Sequence, residues 1–164
     1  MKRVFWLSVF VLAVAGRLLA QSTTTTRLYA TYHEVTPNGA AVVVTVQQPS
    51  TGARQLVFEG ATIYCSVACV PALEVNGTAA TVTAGTLIKL DTRAPSATAA
   101  VFTGSDVGAG TVINRYPVAA GQQISIAKSG LLLGVDSGSK HNLTIRTDSI
   151  SGTVRVSLAW SEPQ

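Results

Sequence analysis

Residues 154–161, Val-Arg-Val-Ser-Leu-Ala-Trp-Ser, restrict the fold more than any other part of the chain. On an extended backbone successive side chains point to opposite faces, so Val154, Val156, Leu158 and Trp160 share one face and Arg155, Ser157, Ala159 and Ser161 the other. This is the pattern of a strand with one face in a core and one in solvent. A helix would scatter the same apolar residues around its circumference. No segment sustains an apolar period of about 3.6 residues for three turns, so no long helix is expected.

The remaining sequence consists of short β-prone runs divided by turn residues. Runs 27–35 and 41–47 flank Pro37-Asn38-Gly39 and are expected to form a β-hairpin, because Pro presets one backbone angle and Asn-Gly tolerates positive φ. In the second run Val42, Val44 and Val46 share a face. Runs 54–59 and 61–65 follow, with Gly60 as a bend or bulge between them. Runs 70–75 and 78–83 flank Asn76-Gly77, the strongest two-residue hairpin signal in the chain, although Pro71 limits the first to an edge or a half-strand. Runs 86–90 and 99–103 enclose a surface loop at 91–96, and 104–110 reads as a flexible glycine-rich loop. Run 112–118 is interrupted by Pro117. Ile124 and Ile126, then Leu143 and Ile145, alternate with polar residues, and Ser151-Gly152 turns the chain before the last strand. About eight to ten strands with turns every eight to twelve residues predict an all-β fold. The expected form is a two-sheet antiparallel β-sandwich of jelly-roll or immunoglobulin-like type.

The first twenty residues carry a different signal. Met1-Lys2-Arg3, an apolar stretch over 4–12, and the small residues Ala13-Val14-Ala15-Gly16 and Ala20 form the three regions of a secretory signal peptide. Cleavage after Ala15 fits the small-x-small rule. Cleavage after Ala20 also removes Arg17-Leu18-Leu19 and is the preferred site. The expected organisation is an N-terminal signal helix at 1–20, a flexible leader at 21–26 and a single β-sandwich domain at 27–164. The apolar stretch is shorter than the roughly 20 residues that span a bilayer, so no stable membrane span is expected once the signal is removed. The expected location is secreted, periplasmic or cell-surface.

Removing the leader changes the charge reading. Three of the 12 basic residues, Lys2, Arg3 and Arg17, and none of the 8 acidic ones precede Ala20, so nine bases and eight acids remain, a net of +1. Nine bases spread singly along the chain cannot displace counterions from phosphate over a patch, which excludes nucleic acid as a partner.

Cys65 and Cys69 are the most specific local feature. An exported pair of thiols oxidises, yet on a straight strand residues four apart lie about 13 Å apart, beyond the roughly 4.4–6.8 Å a disulfide allows. The segment must therefore turn, and a small disulfide-closed loop is expected. The spacing is neither C-x-x-C nor a zinc pattern.

Catalytic signals are absent from the pattern. His33 shares a strand face with Tyr29, Thr31 and Val35, and His141 sits in the loop 136–142; neither has a His-x-x-x-His partner or a Gly-x-Ser-x-Gly elbow. The eight acids read as solvated faces and turns, with no marked pair for glycoside hydrolysis. No catalytic residue, metal or cofactor is expected. The expected function is that of an exported, non-catalytic structural, adhesive or binding module, with a carbohydrate-binding module and a small secreted hydrolase as alternatives. Its partner would be an extracellular protein or a glycan, and low-charge sheet faces also permit a homo-oligomer. The candidate binding residues are Ser105 and Asp106 in one loop and Asp136, Ser137, Ser139, Lys140 and His141 in another. Tyr29, Tyr64 and Tyr116 are the candidate aromatic platform for sugar rings, whereas Trp160 belongs in the core. Asn76 and Asn142 head N-glycosylation sequons.

Overall fold

A computed structural model describes residues 27–36, 42–49, 51, 54–76, 78–79, 83–108, 110–127, 130–133, 141–147 and 151–163. The signal segment and the leader 21–26 lie outside them. Among the described residues the chain is all-β: β1 (Leu28–Val35), β2 (Val42–Gln47), β3 (Leu56–Cys65), β4 (Ala72–Val75), β5 (Thr78–Ala79), β6 (Thr83–Ala84), β7 (Ile88–Lys89), β8 (Ala100–Gly108), β9 (Thr111–Arg115), β10 (Gln122–Ala127), β11 (Leu132–Leu133), β12 (Asn142–Thr147) and β13 (Val154–Ser161). They form two antiparallel sheets. A six-stranded sheet runs β10-β3-β13-β1-β7, with β11 also on β3; a seven-stranded sheet runs β5-β8-β2-β12-β4-β9, with β6 also on β8.

The core lies between the sheets and follows the alternation of each strand. From the six-stranded sheet come Tyr29, Phe58, Ile63, Val156, Leu158 and Trp160; from the other come Val44, Val46, Leu73, Val101, Leu143 and Ile145. Trp160 is fully buried, its ring 5.9 Å from that of Tyr29. Losing so large a buried ring costs about 3–5 kcal/mol. Cys65, the last residue of β3, and Cys69 stand at disulfide distance, with Cα atoms 6.2 Å apart. The chain turns between them, and Cys69 bridges to Val118.

The structure corrects several expectations of pairing. β1 and β2 do not form a hairpin; they lie in different sheets, β1 on β13 and β2 on β12 and β8. The turn Pro37-Asn38-Gly39 lies outside the described residues. The Asn76 turn exists, with Asn76 at φ 60°, but it joins strands that take other partners: β4 pairs with β12 and β9, and β5 with β8. Gly60 does not separate two strands. β3 runs through it, and the irregularity is a bulge opposite Ala159 and Trp160. The segment expected as a loop at 104–110 is strand as far as Gly108.

Two acids expected in solvent are buried. Glu74 and Glu162 are each 1% exposed. Glu74 accepts from Arg146 Nε at 3.0 Å and from the Gly110 amide at 3.0 Å. Glu162 accepts from the Thr98 and Ala99 amides, the Thr98 hydroxyl and Trp160 Nε1, and so fastens the 98–99 segment beside the C-terminal strand.

Candidate functional site

The outer face of the six-stranded sheet carries an open depression. Register across β1, β13, β3 and β10 places its side chains in three rows. The first is Glu34, Arg155, Tyr64 and Gln123; the second is Tyr32, Ser157, Thr62 and Ser125; the third is Ala30, Ala159, Gly60 and Ala127. The first row is long and charged. The second and third are small, apart from Tyr32, and Thr62, Ser125, Ser157, Gly60 and Ala159 of these rows line a shallow depression of about 260 Å³ that crosses β10, β3 and β13. Gly60, which lines it, has φ 153°, and a Cβ there would meet the Ile126 carbonyl oxygen at 3.1 Å. Only glycine fits comfortably. Beyond the bulge, Ser161 Oγ donates to Glu59 Oε1 at 2.5 Å and forms the opposite rim.

The charges of the first row are mutually committed. Arg155 Nε lies 3.2 Å from Glu34 Oε1, and its guanidinium sits 5.2 Å from the centroid of the Tyr64 ring, within cation–π range. Tyr32 Oη donates to Glu34 Oε2 at 2.8 Å. These bonds from Tyr32 and Arg155 hold the Glu34 carboxyl below its usual range, raise the Tyr32 phenol and keep Arg155 firmly protonated. The row therefore carries one positive and one negative charge that cancel at neutral pH.

The expected aromatic platform is not assembled. Tyr29 is fully buried in the core, and its hydroxyl donates to the Pro95 carbonyl at 3.0 Å. Burial raises its pKa. Tyr116 is half-buried and packs against the core. Tyr64 alone of the three lies on the outer face, and it shares that face with Tyr32, which is 47% exposed. Sequence reasoning passed over Tyr32, although the alternation that sends Tyr29 inward sends Tyr32 outward.

Of the expected binding-loop residues, only Ser105, Asp106 and His141 are described. Ser105 and Asp106 are residues of β8, opposite Val42 and Ala79, respectively. Asp136, Ser137, Ser139 and Lys140 lie outside the described residues. The carbonyl of His141 accepts from the Gln48 amide, just past the other end of β2. Ser105 and His141 therefore stand about 20 Å apart along β2. Of the two sequon asparagines, Asn76 is exposed, whereas Asn142 is 8% exposed and buried. His33 faces inward, and burial lowers its pKa.

Among the described residues, no group of three or more His, Cys, Asp and Glu is placed to hold a metal ion. Nor is any helix among them long and apolar enough to cross a membrane, which leaves strands that cross as a barrel unaddressed. No family model, curated protein or solved structure matches this chain.

Proposed function

We propose that the protein is an exported, non-catalytic binding module that meets its partner outside the cytoplasm through the outer face of the six-stranded sheet. The observation that carries this reading is the floor of that face: small residues on three neighbouring strands, flanked by two tyrosines and a neutralised charge pair. The signal-like first twenty residues and the Cys65–Cys69 pair support export into an oxidising compartment. The disposition of the two acids on this face supports binding without chemistry. Glu34 and Glu59 each have a partner of their own, and their backbone positions are about 18 Å apart by strand geometry. Glycoside hydrolysis needs two carboxyl groups about 5–9.5 Å apart.

We also read the topology as a jelly roll. Eight strands pair in a nested order, first with last: β1 with β13, β2 with β12, β3 with β10 and β4 with β9. Such nesting is what a long antiparallel ribbon produces when it rolls into two sheets. On this reading, β5–β8 are an insertion that extends both sheets on the β1/β2 side, β7 joining β1 and β8 joining β2.

The test is a panel of immobilised polysaccharides and extracellular proteins, run with the chain from Gln21 onward. Retention on a panel member without release of product supports the reading. Turnover of any member, or retention of none together with a monomer in size-exclusion chromatography, overturns it.

A further inference from the structure

We infer that the depression on the six-stranded sheet is a binding site for a neutral glycan, one sugar ring lying on its floor and the chain crossing the strands. The inference rests on the binding-module reading and adds the site and the ligand class.

The side chains on this floor are unusual for a solvated sheet. An outer face that only meets water gains from long polar chains that cover the backbone. Here Ser125, Thr62 and Ser157 stand in one row and Ala127, Gly60 and Ala159 in the next. The result is a trench, not a flat sheet. Three hydroxyls in line each donate and accept, which is what a row of sugar hydroxyls requires. The methyl of Ala159 and, beside the depression opposite Ser157, the exposed ring of Tyr32 offer apolar surface to the C–H faces of a pyranose. At the β7 end, Ile88 pairs with Ala30 and is 41% exposed, which continues the apolar side. The depression crosses three strands, β10, β3 and β13, and is about 10 Å long. Its volume of about 260 Å³ has room for one ring on the floor.

Charge selects among polymers. The guanidinium of Arg155 is already engaged by Glu34 and by the Tyr64 ring. Glu59 is engaged by Ser161. Among the described residues, an anionic polymer would meet Glu34 and Glu59 on the two rims without an uncommitted cation between them. A peptide strand could not add to this surface, because the backbone groups of β3 and β13 are paired on both sides within the sheet.

The experiment measures retention on columns of immobilised neutral glycans (a β-glucan, a mannan, a neutral xylan) and anionic ones (alginate, polygalacturonate). The proteins are the wild-type chain from Gln21, Ser157→Lys, Tyr32→Ala and, as a control carrying the same added charge, Ser151→Lys at the exposed turn before β13. Thermal melting shows that each is folded. Wild-type protein and Ser151→Lys are expected to bind at least one neutral glycan. Ser157→Lys should weaken that binding at least tenfold and Tyr32→Ala several-fold. Equal retention of Ser157→Lys and wild type would overturn the site while leaving the module reading intact. Retention on anionic glycans alone would overturn the ligand class. A dimer that Ser157→Lys dissolves, with no glycan bound, would also overturn the class and assign the face to a second copy. No retention and no dimer would overturn the module reading as well.

Discussion

Glu162 offers the sharpest test of how the chain holds its two sheets and the 76–110 segment together. Its carboxylate accepts from the Thr98 amide at 2.8 Å, the Thr98 hydroxyl at 2.8 Å, the Ala99 amide at 3.0 Å and Trp160 Nε1 at 3.4 Å. With Glu162→Ala these donors lose their acceptor, and two of them, at Ala99 and Trp160, are buried. An unsatisfied buried donor costs about 1–3 kcal/mol. Relief from desolvating a carboxylate recovers part of the sum. The expected loss is about 3–4 kcal/mol, within the range for removing one side of a buried charged contact. Glu162→Gln keeps one oxygen for Ala99 and Trp160 but turns an N–H₂ toward the Thr98 amide, so it should cost less, about 1–2 kcal/mol.

Urea unfolding followed by Trp160 fluorescence reads both variants. At a slope of about 1.5–2 kcal/mol per molar, Glu162→Ala should lower the midpoint by roughly 2 M. Hydrogen exchange at the Thr98 and Ala99 amides should accelerate beyond what the global loss accounts for. A Glu162→Ala variant within about 1 kcal/mol of wild type would refute the reasoning. So would Glu162→Gln being as damaging as Glu162→Ala, since the cost would then come from something other than the acceptor oxygens.

Reducing the Cys65–Cys69 pair should destabilise the fold by about 2 kcal/mol, the loop-closure value for so short a ring, seen as a lower urea midpoint with dithiothreitol and no such shift in a Cys65→Ala/Cys69→Ala protein. His33 is half-buried and its pKa lies below its ordinary 6.5, so the unfolded chain binds the proton more tightly. Its stabilising contribution is full above pH 6.5 and is lost as pH falls through the lowered folded value. Melting temperatures taken from pH 7.5 to 4.5 should therefore fall less steeply for His33→Leu than for wild type, and parallel curves would contradict the assignment. Expressed with its leader in a secreting host, the protein should be recovered with its N-terminus at Gln21 by mass spectrometry; a chain that keeps Met1 would remove the case for export.

What the sequence reveals and what it hides divide along physical lines. The in–out alternation of β13 is local, so Val154, Val156, Leu158 and Trp160 were readable as core, and so was the need for a turn between Cys65 and Cys69. Strand partners are not local. Pro37-Asn38-Gly39 and Asn76-Gly77 announce that the chain reverses, not whether it returns to the same sheet or crosses to the other. Gly60 reads as a break because glycine weakens strands, yet its φ is what lets β3 accommodate a bulge and continue. Glu74 and Glu162 read as solvent-exposed because their partners lie far along the chain: Arg146 is 72 residues from Glu74 and Thr98 is 64 from Glu162. Tyr32 was legible in principle from the same alternation that marks Tyr29. The trench was not, since its lining draws on three strands, β3, β10 and β13, whose adjacency only the fold creates.

The two sheets treat their outer faces in opposite ways, and the contrast bears on the site. On the seven-stranded sheet the face turned from the core buries its polar groups against one another: the hydroxyls of Thr45 and Thr144 lie 3.1 Å apart, and Glu74 engages Arg146. Those groups are spent on the fold. On the six-stranded sheet Thr62, Ser125 and Ser157 line a depression instead. A chain with only 12% charged residues depends on uncharged polar groups for solubility, and long amides such as Gln123 would serve that end on every strand. Placing serine, threonine, alanine and glycine there instead exposes backbone and apolar carbon to water, which gains nothing for solvation. It creates a concave, neutral, hydroxyl-lined surface whose remaining apolar area is released from water only when something of matching shape lies in it.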